Sequence, residues 1–237
     1  MRNVVVTGVP RPPLDQLDEL ARFGVATVHE ALGRIGYLGP RIRPIQQGTR
    51  IAGSAVTALC WPGDNLMIHA AVEQCGPGDV LVVSTASPCT DGLFGELLAT
   101  SLAARGIRGL VMDAGVRDTA ELRAMGFPIW TRHVSAQGSV KATAGAVNVP
   151  LVVGGQSVLP GSVIVADDDG VLTVPAHELP RAIEASRARE AKEQITRDVL
   201  AAGQLGLDRY GLRALLGELG VEYVPYEQYL AGERRNV

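Results

Sequence analysis

The chain has 237 residues, 46% of them hydrophobic, and a formal net charge of −3. That is enough apolar material for a sizeable core, as one large domain or as one domain with an appendage. No basic stretch is interleaved with aromatics, so the clustered positive charge that a phosphate backbone requires is missing and nucleic acid is not an expected partner. No apolar stretch reaches the roughly 20 residues that span a bilayer, so no membrane is expected either.

The first residues, Met1-Arg2-Asn3-Val4, show no signal-peptide pattern. Cys60, Cys75 and Cys89 are odd in number and lack metal-site spacing. They read as reduced thiols of a cytoplasmic protein.

In chain order, Leu14, Leu17, Leu20 and Ala21 have helical spacing, and a second helix is expected from Thr27 to Leu32, ended by Gly33. Residues 36–48, with Pro40 and Pro44, read as a loop, and Ile51–Leu59 as a strand of small residues. Asp64-Asn65 is placed to cap a helix carrying Leu66, Met67, Ala70 and Ala71. Then follow a strand over Val80–Ser84, an irregular loop to Gly92, a helix over Leu93–Ala104, a strand over Arg108–Asp113, a short helix over Asp118–Met125 and a strand near Ile129–Thr131.

From Leu151 the pattern turns to short strands. Asp167-Asp168-Asp169-Gly170 between Val163–Ala166 and Val171–Val174 predicts a hairpin. After Pro175 the chain becomes charged and helical to about Ala202, with a shorter helix over Asp208–Leu219. The expected architecture is an α/β catalytic domain over residues 1–175. A helical C-terminal arm over residues 176–237, too polar to form a core alone, is expected to pack on the main body or on a neighbouring subunit.

Two blocks carry chemistry. Gly95-Glu96-Leu97-Leu98 ends a loop and opens a helix, so its backbone N–H groups are open to an anion. Arg117-Asp118 follows an apolar strand and a glycine turn. A guanidinium there suits a bidentate carboxylate clamp, and the adjacent carboxylate suits a hard divalent cation among waters. Asp118 is equally well read as a helix N-cap, and Glu96 as a first-turn carboxylate favoured by the helix dipole. Should Glu96 face the same cavity as Arg117, it could serve as a base toward an ordered water. The Asp167–Asp169 run is better explained by the hairpin than by a metal. His29, His69, His133 and His177 are scattered, and Lys141 lacks the apolar neighbours that activate a Schiff-base lysine.

Nearly the whole chain resembles the 4-hydroxy-4-methyl-2-oxoglutarate/4-carboxy-4-hydroxy-2-oxoadipate aldolases, within the superfamily that includes the regulator of ribonuclease activity A. The resemblance rests on Thr27–Gly33, Pro62-Gly63-Asp64-Asn65, Gly78–Val83, Gly95–Thr100, Asp113-Ala114-Gly115-Val116-Arg117-Asp118, Ala136-Gln137-Gly138 and Val165–Val171, with the charged tail resembling the aldolase branch. It implies a layered α/β/β/α fold, trimers or hexamers, and a class II retro-aldol cleavage that yields pyruvate from a 2-keto acid, with oxaloacetate decarboxylation as a side activity. By the same resemblance, the Gly95–Leu98 loop and Arg117 bind the keto acid. Asp118 holds Mg²⁺ or Mn²⁺, Glu96 is a candidate base, and Glu193 matches a tail glutamate that reaches a neighbouring subunit's metal site. The rival reading is a non-catalytic ribonuclease regulator on the same scaffold.

Overall fold

The structure is a computed structural model and describes residues 2–233. Its elements run in the order β1 (Val4–Val5), α1 (Leu14–Ala31), β2 (Arg43–Pro44), β3 (Ile51–Cys60), α2 (Leu66–Gln74), β4 (Asp79–Thr85), β5 (Gly92–Phe94), α3 (Glu96–Ala103), β6 (Gly109–Val116), α4 (Thr119–Met125), β7 (Ile129–Val134), β8 (Ala146–Val147), β9 (Leu151–Val153), β10 (Gln156–Val158), β11 (Val163–Asp167) and β12 (Gly170–Val174), followed by α5 (Leu179–Ala201), α6 (Gly206–Arg209), α7 (Leu212–Glu218) and α8 (Tyr226–Glu233). The chain forms two compact units, one reaching to Glu190 and one beginning at Ala191. The arm was expected from residue 176, yet Leu179, Ala182 and Ile183 at the start of α5 belong to the core of the first unit.

The first unit is the layered α/β fold. Strands β3, β4, β6 and β7 pair in parallel. Their near-continuous apolar runs (Val80–Val83, Gly109–Met112) are what a sheet covered on both faces requires. On one face, Leu81, Val83, Leu110, Met112 and Ile129 pack with Met67, Ile68, Leu98, Leu102 and Leu122 of helices α2, α3 and α4. On the other face, Val80, Val82, Val111 and Trp130 pack with Leu151, Val153, Ile164 and Val171 of β9, β11 and β12. A last layer sets Leu17, Leu20, Val25 and Val28 of α1, with the start of α5, against Val163, Val165, Leu172 and Val174. Helices, two β layers and helices thus succeed one another.

The hairpin forms as its sequence predicts, with Asp167 opposite Gly170 across Asp168-Asp169. The aspartates there serve the backbone. Asp167 accepts hydrogen bonds from the N–H groups of Val25 and Asp169 at 2.8 and 2.9 Å, and Asp168 accepts that of Gly48. Trp130, fully buried, donates its indole N–H to the Asp167 carbonyl at 2.7 Å. Helix α1 is broken at Gly24, which explains the two helices its spacing suggested: φ 77° and ψ 167° are open in practice only to glycine. The expected single helix over 208–219 is two short ones, parted at Gly211 with φ 66°. Among the described residues no helix is long and apolar enough to cross a membrane.

A Cβ at Gly24 would also stand 2.8 Å from the Asp167 carboxylate that holds Val25. Gly24→Ala is therefore expected to lower the unfolding free energy by about 1–3 kcal/mol. Urea denaturation checks this, and an unchanged midpoint would show that α1 tolerates another break.

Candidate active site

The strand β6 ends at Val116, and the two residues after it stand at the edge of a cavity of about 180 Å³. Arg117, Asp118, Gly95, Leu97 and Leu98 line it, so both blocks singled out in the sequence share one wall. They are brought together by β5, which lies parallel to β6 and leads into α3, and by the Arg117 N–H bonding to the Phe94 carbonyl at 2.9 Å.

Asp118 occupies the position before α4 but does not cap it with its side chain. Its backbone is left-handed, φ 55° and ψ 39°, a conformation that aspartate tolerates better than most residues and that concentrates at functional sites. The turn sends the carboxylate across to α3. There Oδ2 accepts the Glu96 N–H at 3.1 Å and lies 3.6 Å from Nε of Arg117. No described residue donates a hydrogen bond to Oδ1. The approach is so close that a Cβ on Gly95 would stand 2.2 Å from Oδ2, so any larger residue there would displace this carboxylate from the start of α3.

One first-turn N–H of α3, that of Glu96, is thus already satisfied by Asp118. Those of Leu97 and Leu98 have no intrahelical acceptor at a helix start. The Arg117 guanidinium, half-exposed, donates no hydrogen bond to any described residue. Glu96 is placed otherwise: its carboxylate accepts the Thr100 hydroxyl at 2.9 Å along its own helix, and the residue is not part of the cavity lining. Glu193 lies on α5 within the second unit, and the cavity lining comes from the first.

The other wall comes from residues to which sequence reasoning gave no role in the site: Asn65, His69, Ser139 and Lys141. Asp64 holds this wall together. Its carboxylate accepts the N–H groups of Leu66, Ala142 and Thr143 at 2.7–2.8 Å, tying the start of α2 to the segment that presents Lys141. Burial alone would raise the Asp64 pKa, but these backbone donors together hold it below the usual value. Asn65 donates to the Leu93 carbonyl at 2.9 Å, and its Oδ1 is buried without a partner among the described residues. Burial, and then the charge of Lys141, lower the His69 pKa and favour the neutral imidazole at pH 7. Among these side chains, one carboxylate faces two cations, Arg117 and Lys141.

A family model described as RraA-like, Aldolase/RraA, matches residues 25–173, which include both walls. The chain belongs to the RraA-like family. A 4-hydroxy-4-methyl-2-oxoglutarate aldolase from Thermus thermophilus is 38% identical over 126 residues, 53% of this chain and 76% of that protein. Streptomyces coelicolor RraAS2, described as an unusual member of the RNase ES inhibitor RraA protein family, superposes with a TM-score of 0.71 at 29% identity, covering 79% of this chain and 98% of that one. An uncharacterized protein from Pseudomonas syringae pv. tomato gives 0.75 at 26% identity, over 84% and 94%.

The folded-state pKa of Asp64 lies below its unfolded value of about 3.9. Its stabilisation is therefore complete above that pH and lost as pH falls through the folded value. Asp64→Asn is expected to be less stable at pH 7 and to show a shallower loss of stability below pH 4. Equilibrium unfolding between pH 2 and pH 7 reads both, and parallel curves for the two proteins would remove Asp64 from the acid response.

Proposed function

We propose that this protein is a class II aldolase, a carbon–carbon lyase that cleaves 4-carboxy-4-hydroxy-2-oxoadipate to pyruvate and oxaloacetate, 4-hydroxy-4-methyl-2-oxoglutarate to two pyruvates, or both. The observation that carries the reading is the small cavity in which Arg117, without a hydrogen-bond acceptor among the described residues, stands beside Asp118 and the opening turn of α3. At about 180 Å³ the cavity is sized for a compact acid.

In the cleavage, the bond between C3 and C4 of the keto acid breaks. The C4 hydroxyl passes its proton to a water in the cavity and becomes a carbonyl, while the electron pair is left on the three-carbon fragment as an enolate, which takes a proton from water at C3 to give pyruvate. The N–H groups of Leu97 and Leu98 bind the pyruvyl carboxylate, and Arg117 binds the keto acid end and neutralises charge as it develops. Asn65 Oδ1 accepts the substrate hydroxyl, orienting it. Lys141 offers a second cation to a distal carboxylate, suiting a substrate with two or three negative charges. Glu96 becomes a base only if it leaves Thr100 and turns inward.

A divalent cation suits this donor set. Among the described residues no three His, Cys, Asp or Glu side chains converge to enclose a metal, but Asp118 keeps Oδ1 open, and Mg²⁺ commonly takes one or two protein carboxylates and retains several waters. Held through Asp118, Mg²⁺ or Mn²⁺ would supply Lewis-acid stabilisation of the enolate. The same enolate arises when oxaloacetate loses carbon dioxide, so decarboxylation accompanies the reading.

The second unit supports assembly into trimers or hexamers. No residue of α6 or α7 is buried, and Leu205, Tyr210, Leu219, Tyr223 and Tyr226 are exposed. A neighbouring copy that covers them would bring Glu193 to a partner's cavity. The Streptomyces relative's description supports the other reading, a non-catalytic ribonuclease regulator.

A coupled assay for pyruvate release separates them. We expect turnover that vanishes in excess chelator and returns with Mg²⁺ or Mn²⁺, and a loss of about a hundred- to a thousandfold in Arg117→Ala. No pyruvate from either acid with metal present would favour the regulator, and near-normal turnover of Arg117→Ala would remove that residue from the mechanism.

A further inference from the structure

Three neighbouring parallel strands change character at one level. On the face packed against β9, β11 and β12, buried Val82, Val111 and Trp130 stand side by side, since Val82 is in register with Val111 and Val111 with Trp130. Two residues on in each strand stand Ser84, Asp113 and Arg132; the β6–β7 register shifts beyond Met112, yet the Asp113–Arg132 pair still bridges the two strands. The apolar row is succeeded by a polar one across β4, β6 and β7.

This row lines a cavity of about 500 Å³, larger than the one at Arg117, together with Arg41, His133 and Thr90. It lies at the carboxyl ends of parallel strands, where open α/β sheets take their ligands. Asp113 pairs with Arg132 and accepts the Gly154 N–H at 3.3 Å, so both its oxygens are engaged. An ion pair set this close to a core is weak evidence of stability. Arg41 is exposed and makes no hydrogen bond or ion pair among the described residues. Arg132 pairs with no described residue besides Asp113. Two guanidinium groups therefore share the cleft with one carboxylate that is already occupied, with the His133 imidazole and the Thr90 hydroxyl at hand, while the Ser84 hydroxyl donates to the Val152 carbonyl. Such a surplus of donors matches a ligand rich in anionic oxygens.

We propose that this cleft is a second binding site, distinct from the Arg117 cavity, for a compact oxyanion carrying two or more negative charges, whether a polycarboxylate or a phosphate ester. Arg41 and Arg132 clamp it, and Asp113 holds Arg132 in place. The assignment does not depend on aldol chemistry in the first cavity.

Titration calorimetry of the full chain in metal-free buffer, with citrate and with inorganic pyrophosphate as probes, tests it. At least one probe should bind the wild type and Arg117→Ala with the same Kd, and Arg41→Glu should weaken that binding by about tenfold or more, the loss of one charge-assisted contact. Arg41 is exposed and unpaired among the described residues, so this variant should keep its fold, which circular dichroism checks; Arg41→Gln serves if it does not. Binding of citrate alone would identify a polycarboxylate site, and of pyrophosphate alone a phosphate site. The proposal is overturned if neither probe binds the wild type, or if binding survives Arg41→Glu, with or without loss in Arg117→Ala.

Discussion

The contact between the Asp118 carboxylate and the start of α3 organises the first cavity. Asp118 pays a backbone cost for its left-handed turn, and what it obtains is a carboxylate oxygen set between a helix N-terminus and a guanidinium. Each of those partners attracts an anion by itself. With Asp118 present, the site is not a simple anion trap. It has a negative point flanked by positive ones, the arrangement from which the proposed reading with a cation and an acid starts. Gly95 is the condition for this: a side chain there would push the Asp118 carboxylate off the start of α3.

The two cavities draw on the same strand. Asp113 opens toward the larger cleft, while Arg117 and Asp118, just beyond the end of β6, border the smaller cavity. The segment before β5 repeats this division, with Thr90 at one cavity and Gly92 at the other. Asp91 lies between them and accepts the Gly115 N–H at 3.0 Å, so the segment is bonded to β6 at the point where the strand passes from one site to the next.

Much of this was legible in the residues. The apolar runs of β4 and β6, the Asp-Gly hairpin and the helix spacing of α1 reflect local rules, and each appears where its pattern placed it. Arg117-Asp118 and Gly95–Leu98 were legible because each joins a strand or loop end to groups with a chemical use. The opposite wall was not. Asn65, His69 and Lys141 come together through Asp64, which reaches 78 and 79 residues along the chain to bond Ala142 and Thr143. Asp64 carried a signal, as a helix-capping residue, but capping accounts for the Leu66 bond alone. Lys141, among Ser139, Thr143 and Gly145, has no local feature that marks it.

The polar row of the second cleft was hidden for a related reason. Ser84, Asp113 and Arg132 sit on three strands, and in each the polar residue reads simply as the place where a buried run stops. Only the three-dimensional structure reveals that the three runs stop at one shared cleft. Had each strand merely met solvent on its own account, nothing would require Asp113 and Arg132 to be a complementary pair or to share their level with a serine hydroxyl. Coincident termination on one face, with opposite charges side by side and a further arginine left unpaired among the described residues, is the mark of a surface shaped as a whole. The same reasoning separates the Asp167–Asp169 run from a ligand site, because there Asp167 and Asp168 are engaged by backbone donors, and Asp167 by Arg50 as well.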